Sequence, residues 1–249
     1  MKKLRMILLA LFLVIGVSGT GNATMMTELL IDSDGDGYGD GSIQVGDKLF
    51  SDWSYEVIDS FNILTGYDVS IFDVSTIEVI GLGADPMNPG IRFQTDSGAP
   101  AFSVDDFNLL DVEFTFKVSV LDPLYQIDSV SLAVDGLIEG EDSSVAIGDD
   151  IATNSAAFDP LSGGDVTSFD PWVAVSSPGP LNGSDSASFD PLSEIWVKKD
   201  IFLASDGGIV NVNWIDQNFH QTAVPEPTTM LLMGVGLLGI CGVTRKKRA

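Results

Sequence analysis

One stretch, residues 112–120, reads VEFTFKVSV and alternates apolar and polar residues without a break. Val or Phe stands at every second position from Val112 to Val120, with Glu, Thr, Lys and Ser between them. Successive side chains of a β-strand point to opposite faces of its sheet, so a period of two marks a strand with one buried face and one wet face. The stretch therefore predicts a half-buried β-strand.

The same period of two recurs along the chain, at residues 49–57, 76–82, 91–95, 130–134, 172–175, 195–203 and 210–214. Turn residues separate these stretches, as in Asp122-Pro123 and Asn88-Pro89-Gly90. No helical period is sustained between the two ends of the chain. Many short strands joined by such turns predict an all-β domain, an antiparallel β-sandwich of jelly-roll-like type.

Residues 152–190 are rich in Ser, Gly, Asp and Pro, and this composition predicts a loop-rich region. Phe-Asp-Pro occurs three times in and just beyond it, at 158–160, 169–171 and 189–191. The spacing is irregular, which excludes a solenoid. We interpret the tripeptide as turn punctuation between strands, with a ligand-binding repeat as the alternative.

The N-terminus has the three parts of a secretory signal peptide. Lys2, Lys3 and Arg5 precede an apolar run at residues 6–17, and small residues lead to a cleavage position after Ala23. The run is too short to span a bilayer comfortably. The sequence predicts a signal peptide at residues 1–23, and an uncleaved anchor is the alternative.

The C-terminus, residues 224–249, has a different three-part arrangement. Pro225-Glu226-Pro227 comes before an apolar run at 230–243, which four basic residues follow: Arg245, Lys246, Lys247 and Arg248. With Thr228, Thr229 and Thr244 at its edges the run reaches 17 residues, the low end for a single transmembrane helix, and the positive-inside rule places the basic cluster in the cytoplasm. Residues 24–223 are then the exported domain.

These C-terminal parts, in this order, resemble the PEP-CTERM sorting signal of Gram-negative bacteria, a segment also labelled "ice-binding protein C-terminal domain". The resemblance implies that a membrane-embedded exosortase recognises Pro225-Glu226-Pro227 and cleaves near it. It also implies export across the inner membrane, a precursor anchored in the membrane by its C-terminal helix, and delivery to the cell surface or outside the cell. Such proteins often occur in bacteria that make exopolysaccharide. A plain C-terminal anchor is the alternative.

Three short stretches of the exported domain, at 46–53, 90–93 and 217–222, look like recurring pieces of uncharacterised PEP-CTERM surface proteins. These proteins have no agreed activity. The resemblance therefore implies an exported β-rich domain and no particular chemistry.

The charge of the exported domain is more extreme than that of the whole chain. The full sequence has 12 basic and 36 acidic residues and a net charge of −24. Without the two terminal segments, 5 basic and 35 acidic residues remain, a net charge of about −30. This balance excludes nucleic-acid binding, which needs Lys and Arg for phosphate contacts. The one cysteine, Cys241, lies in the C-terminal run, so the exported domain has no disulfide.

An aspartate-rich loop at residues 32–40 reads DSDGDGYGD and matches the first part of an EF-hand loop. Alternating carboxylates on a tight loop converge on one centre, and Gly37 permits the sharp turn. Position 12 is Ile43 instead of Glu, so Asp47 or another carboxylate would have to complete the shell. We predict a weak Ca²⁺ site, with a solvated turn as the alternative; its ligands are Asp32, Asp34, Asp36, Asp40 and the Tyr38 carbonyl.

No catalytic residues are predicted. The exported domain lacks cysteine, and its one histidine, His220, stands three residues before the Ala223-Val224 junction, where we expect an exposed stalk. A triad needs a buried, oriented imidazole, and zinc needs His or Cys ligands. Pairs of carboxylates are too common among 35 acidic residues to indicate a glycan hydrolase, which remains a third reading.

The four tryptophans, Trp53, Trp172, Trp196 and Trp214, are interpreted as core residues, with Trp214 in the alternating pattern and a sugar-binding platform as the alternative. Together the features predict a non-enzymatic exported protein with a structural or adhesive role in the envelope or a biofilm. The expected partners are exosortase, divalent cations and exopolysaccharide. The alternative function is a calcium-assisted carbohydrate-binding module.

Overall fold

The computed structural model describes residues 23–158 and 171–224. Within them the chain forms thirteen strands, the short helix α1 at Met26–Leu29, and 3-10 turns at Val74–Thr76 and Ser155–Phe158. The strands are β1 Thr24–Met25, β2 Ile43–Val45, β3 Lys48–Asn62, β4 Ile77–Leu82, β5 Gly90–Thr95, β6 Phe102–Asp105, β7 Asn108–Val120, β8 Tyr125–Glu139, β9 Ser144–Ala152, β10 Trp172–Val175, β11 Gly179–Leu192, β12 Glu194–Ala204 and β13 Ile209–Ala223.

The strands form two sheets in which every pair is antiparallel. The seven-stranded sheet has the order β1-β4-β5-β13-β8-β11, and β6 also pairs with β13. The six-stranded sheet has the order β10-β9-β12-β7-β3-β2. The predicted all-β class is confirmed, and the two antiparallel sheets are consistent with a β-sandwich.

The stretch at residues 112–120 belongs to β7, in the middle of the six-stranded sheet. Val112, Phe114, Phe116 and Val118 are fully buried, and the residues between them are partly exposed, as the alternation predicts. Phe114 packs against Phe93 of the other sheet, with 5.8 Å between ring centroids. Burial of such aromatic side chains is a large part of the stabilisation of the fold.

The loop-rich prediction for residues 152–190 is wrong for β11, whereas β10 forms where the alternation at residues 172–175 predicts a strand. β11 pairs with β8 continuously from Gly179 to Ser188, and Asp190-Pro191 lies in an irregularity that follows. Leu181 is the one buried hydrophobic residue of this strand. An edge strand of this kind is held by backbone hydrogen bonds to its neighbour, which composition does not reveal. Parts of two Phe-Asp-Pro copies fall in 159–170, outside the described residues.

The prediction that Trp214 is a core residue is also wrong. Val210 and Val212 are buried, but the pairing of β13 with β8 shifts between Val212 and Trp214 because Asn213 is an extra residue. This β-bulge turns Trp214 to the outer face and lets Ile215 point inward. Simple alternation from Val210 cannot anticipate such an insertion.

The expected stalk around His220 is part of the sandwich instead. His220 lies in β13, whose pairing with β8 continues to Ala223. Its side chain is 49% exposed, so the predicted exposure is correct although the stalk is not. Residues 1–22 of the predicted signal peptide, and the sorting segment from Pro225 onward, fall outside the described residues. Within the described ranges, no helix is long and apolar enough to cross a membrane.

Candidate functional site

The aspartate-rich loop is held at its base by backbone contacts to the rest of the sandwich. The Asp40 N–H donates to the Ile31 carbonyl at 2.8 Å, and the Gly39 N–H donates to the Trp53 carbonyl at 2.7 Å. Gly35 and Gly37 have φ values of 80° and 93°, in the left-handed region that favours glycine. The turn that the sequence assigned to Gly37 is therefore present, and the loop projects from a fixed base.

Three predicted metal ligands come together in this loop. One carboxylate oxygen each of Asp32, Asp34 and Asp36 lies within 4.8 Å of the others, and all three residues are exposed. The Asp32 carboxylate also accepts hydrogen bonds from the Gly35 N–H at 2.6 Å and the Gly37 N–H at 3.1 Å. These bonds fix the direction of the carboxylate, and three oxygens at this spacing suit a hard cation such as Ca²⁺.

The other predicted ligands have different neighbours. The Asp40 carboxylate accepts from the backbone N–H of Ser33 at 2.8 Å and from the Ser33 hydroxyl, and these bonds lower the pKa of Asp40. The ring of Tyr38 packs against Trp196, with 5.1 Å between centroids. Asp47, considered as a completing ligand, pairs with the buried Lys48 at 2.8 Å.

Two tryptophans lie on the outer face of the six-stranded sheet. Trp172 is 49% exposed and covers Gly148, where a Cβ atom would come within 2.3 Å of the indole ring. Trp196 is partly exposed between Tyr38 and the Lys117 ammonium, which lies 5.6 Å from the ring centroid. Trp53 is buried, as predicted. The core interpretation therefore does not hold for Trp172 and Trp196.

Carboxylates crowd the same outer face. Asp200 lies opposite Glu113 in the register of β12 and β7, and Asp111 lies opposite Asp59 in that of β7 and β3. Partial burial, and next the negative charge of Asp200, raise the pKa of Asp111 to about 6. Burial, and next Glu113, also raise the pKa of Asp200. Carboxylates that face one another across the strands disfavour each other's ionisation, in addition to the effect of burial.

The basic residues of the exported domain are all used in ion pairs within the described residues. Lys198 contacts Glu113 at 3.0 Å, and Arg92 forms two hydrogen bonds to Asp216, at 2.6 and 2.8 Å, while it lies over the Trp214 ring. Each of these five residues has at least one such pair: Lys48–Asp47, Arg92–Asp216, Lys117–Asp52, Lys198–Glu113 with Lys198–Asp150, and Lys199–Asp149. The remaining acidic groups therefore dominate the surface charge.

His220 and Asp128 form a pair on the outer face of the seven-stranded sheet, with 2.6 Å between Nδ1 and Oδ1. Ser129 lies opposite both His220 and Ser188 in the strand register, and these residues line one depression. Sequence reasoning missed this group because its members come from three strands. The exposed imidazole differs from the buried, oriented histidine that a triad requires.

Comparison with known families identifies one segment. Residues 223–247 match the PEP-CTERM protein-sorting motif. The resemblance of the C-terminal segment to the PEP-CTERM sorting signal is therefore confirmed, and the match covers about a tenth of the chain. No curated protein matches the chain.

Several solved structures share a general likeness with the sandwich. TmCBM61, solved in complex with beta-1,4-galactotriose, is 12% identical with a TM-score of 0.30, over 69% of this chain and 88% of that one. The enzymatically active domain of tailspike protein 4 from bacteriophage CBA120 is 11% identical with a TM-score of 0.29, over 70% and 20%. TmCBM27, a carbohydrate-binding module that recognises mannan, is 9% identical with a TM-score of 0.26, over 69% and 99%. Likeness at this level does not extend to ligands.

Proposed function

We propose that this chain is an exported, non-enzymatic surface protein with a structural or adhesive role in the cell envelope or a biofilm. Its PEP-CTERM motif indicates export and processing by exosortase at the membrane. The proposed organism class is a Gram-negative bacterium, and the proposed partners outside the cell are divalent cations and acidic exopolysaccharide.

One observation carries the adhesive role: the five basic side chains of the exported domain are each paired with a carboxylate of the same chain. The surface therefore presents mainly unneutralised acidic groups. Copies of such a domain repel one another and repel acidic polysaccharide unless a multivalent cation lies between them. Divalent cations would thus control whether copies of the protein remain separate or form cohesive layers.

A co-sedimentation assay tests this role. The full chain is mixed with an acidic polysaccharide in millimolar Ca²⁺, in EDTA, and in NaCl of the same ionic strength. We expect protein in the polysaccharide pellet with Ca²⁺ and in the supernatant under the other two conditions. Equal recovery with Ca²⁺ and EDTA would contradict cation-dependent adhesion.

The aspartate-rich loop is the proposed specific Ca²⁺ site. Its support is the convergence of the Asp32, Asp34 and Asp36 carboxylates within 4.8 Å. We expect the weak affinity of extracellular calcium modules, about 10⁻⁴ to 10⁻³ M. Bound Ca²⁺ would stabilise the folded state by RT ln(1 + c/Kd), where c is the Ca²⁺ concentration, an amount that grows with the logarithm of c once c exceeds Kd.

Thermal melting in millimolar Ca²⁺ tests the loop. We expect Tm to rise for the native protein and for Asp96→Ala, which removes an exposed carboxylate elsewhere, and to stay unchanged for Asp34→Ala. If all three proteins respond equally, the ion binds diffusely and the loop is not a site.

The second candidate is a calcium-assisted carbohydrate-binding module. The observation that favours it is the half-exposed Trp172, whose indole covers Gly148 beside the acidic outer face. An exposed aromatic face with nearby polar groups is the arrangement with which binding sites hold compact ligands such as sugar rings.

A glycan array separates this candidate from simple adhesion. We expect any glycan signal to be lost in Trp172→Ala and in EDTA, and to persist in Tyr67→Ala, which removes another exposed aromatic ring. A signal that survives Trp172→Ala rules out this platform. Release of sugars during incubation would instead overturn the non-enzymatic assignment.

A further inference from the structure

We propose that Lys199 and Asp149 join through an intramolecular isopeptide bond, so that the Lys199 amine and the Asp149 carboxyl cross-link strands β12 and β9. Lys199 lies directly opposite Asp149 in the antiparallel register of these two strands. The Lys199 Nζ atom lies 2.6 Å from Asp149 Oδ1, and both side chains are 0% exposed. The two reacting groups are thus held in contact with no access for solvent.

The opposite sheet supplies a third polar side chain to this position. Gln217 of β13 is fully buried, and its Oε1 atom accepts a hydrogen bond from Lys199 Nζ at 2.6 Å. A carboxamide oxygen at this distance orients the amine. The three groups form a closed polar cluster between the sheets.

Two atoms of the cluster have no hydrogen-bond partner, Asp149 Oδ2 and Gln217 Nε2. Buried polar atoms without partners are rare in folded proteins and unfavourable. An amide would remove both unpaired atoms. The reaction eliminates one carboxyl oxygen and leaves a carbonyl oxygen to which Gln217 Nε2 can donate a hydrogen bond. The new amide N–H would keep the bond to Gln217 Oε1.

Burial also favours the neutral forms that the reaction needs. Desolvation lowers the pKa of Lys199 and raises the pKa of Asp149, although each partner's charge opposes the shift of the other. A neutral amine is a nucleophile, whereas an ammonium is not. A neutral carboxyl can lose its hydroxyl group as water, whereas a carboxylate has no hydroxyl group to lose. The dry core therefore shifts both groups toward reactivity.

The reaction is a condensation that balances without a co-reactant. The lone pair of Lys199 Nζ forms a bond to Asp149 Cγ, and one Cγ–O bond breaks. The departing oxygen leaves as water with the carboxyl proton and one amine proton. The product is a neutral secondary amide, which replaces two groups that are costly to bury as ions.

Lys48 provides an internal contrast. It is also fully buried and bonded to a glutamine, Gln221, but its carboxylate partner is the adjacent residue Asp47. A bond between neighbours in the chain would close only a small ring and would not link strands. The Lys199–Asp149 link instead connects residues 50 positions apart, in a domain that has no cysteine for a disulfide.

Tryptic mapping of the full chain tests the bond. The chain has no Lys or Arg between Lys117 and Lys198, so trypsin releases residues 118–198, with Asp149, separately from the peptide that follows. The cross-link would keep residues 118–198 attached to a peptide that begins at Lys199. We expect one linked species whose mass is that of both peptides less one water. Two separate peptides, with free Lys199, overturn the proposal.

Matched variants assign the link to this pair. Asp149→Ala removes the acceptor, and Lys199→Arg keeps the positive charge and the tryptic site but cannot form this amide. Both variants should yield separate peptides whether or not they fold. Native protein and Asp47→Ala should yield the linked species. A linked species in Asp149→Ala would place the bond elsewhere and contradict the assignment.

Discussion

At the scale of single residues, the outer face of the six-stranded sheet holds carboxylates in an unfavourable arrangement. Asp111 and Asp200 lie close together, and burial raises the pKa values of both. A carboxyl whose pKa is higher in the folded state binds its proton more tightly there than in the unfolded chain. Its stabilising contribution is complete below the ordinary pKa of 3.8 and is lost as pH rises from there through about 6.

Asp111→Asn tests this pH dependence. We expect the variant to gain about 1 kcal/mol over the native protein at pH 7, after allowance for solvent screening, and little at pH 3.5. Urea unfolding in EDTA at the two pH values measures the difference. Glu78→Gln, on the other sheet, is the control. An equal effect of Asp111→Asn at both pH values would show that the ionisation of Asp111 does not affect the stability of the fold.

The sequence could not identify the residues that decide the interior chemistry. Lys and Asp usually occupy the surface, and Asp149 interrupts the apolar residues of β9 where alternation predicts a hydrophobic one. Its burial beside Lys199 and Gln217 depends on the register of β9 with β12 and on the facing strand β13. The sequence around each of these three residues does not indicate that their side chains meet.

At the scale of secondary-structure elements, one extra residue decides which side chains of β13 face the core. Asn213 lies on the outer side of the bulge and donates from Nδ2 to Asp135 Oδ2 at 2.9 Å. After the bulge, Ile215, Gln217 and Phe219 point into the core. The bulge therefore adds an outward residue without reversing the faces of the rest of the strand.

Two single-residue deletions in β13 test this interpretation. Deletion of Asn213 leaves Val212, Trp214 and Ile215 on their present faces, so we expect a loss of only about 1 kcal/mol, for one hydrogen bond. Deletion of Asn218 turns Phe219 outward and should cost about 3–5 kcal/mol or prevent folding. Soluble yield and urea midpoints measure both. Equal damage from the two deletions would contradict the assigned bulge.

The strands with strong alternation were predictable, and the weakly apolar ones were not. β7 appears in the sequence as a period of two because its core side faces another sheet over its whole length. β11 does not, because its backbone pairs with β8 while most of its side chains stay exposed. Backbone pairing at an edge leaves little trace in the amino-acid sequence.

At the scale of the whole molecule, charge repulsion opposes the compact state. The exported domain has a net charge of about −30, and its basic side chains are paired locally. Salt shortens the range of repulsion, from a Debye length of about 10 Å at 0.1 M to about 3 Å at 1 M.

We therefore expect NaCl to stabilise the domain. Between about 0.02 and 0.5 M NaCl, the free energy of unfolding should rise by on the order of 1 kcal/mol, since relief of repulsion exceeds the weakening of the exposed ion pairs. Urea unfolding in EDTA measures this rise. A decrease in stability with NaCl would show that attractive pairs dominate.

Processing can be tested on the same scale. The sorting motif at residues 223–247 begins where β13 ends, at Ala223. We expect the secreted form to end near Pro227, and intact mass spectrometry of secreted protein measures its end. Recovery of the Arg245–Arg248 tail on mature protein would contradict cleavage, and Pro225→Ala with Pro227→Ala should keep that tail attached.

The sequence by itself determined the all-β class, the strand at residues 112–120, the acidity of the exported domain and the sorting motif. These properties are local, because periodicity, composition and a short motif are all contained within continuous stretches. Tertiary structure alone decided that Trp214 faces outward, that Trp172 covers Gly148, and that Lys199 meets Asp149 and Gln217. Such contacts depend on strand register and on the packing of one sheet against the other, which join residues far apart in the chain.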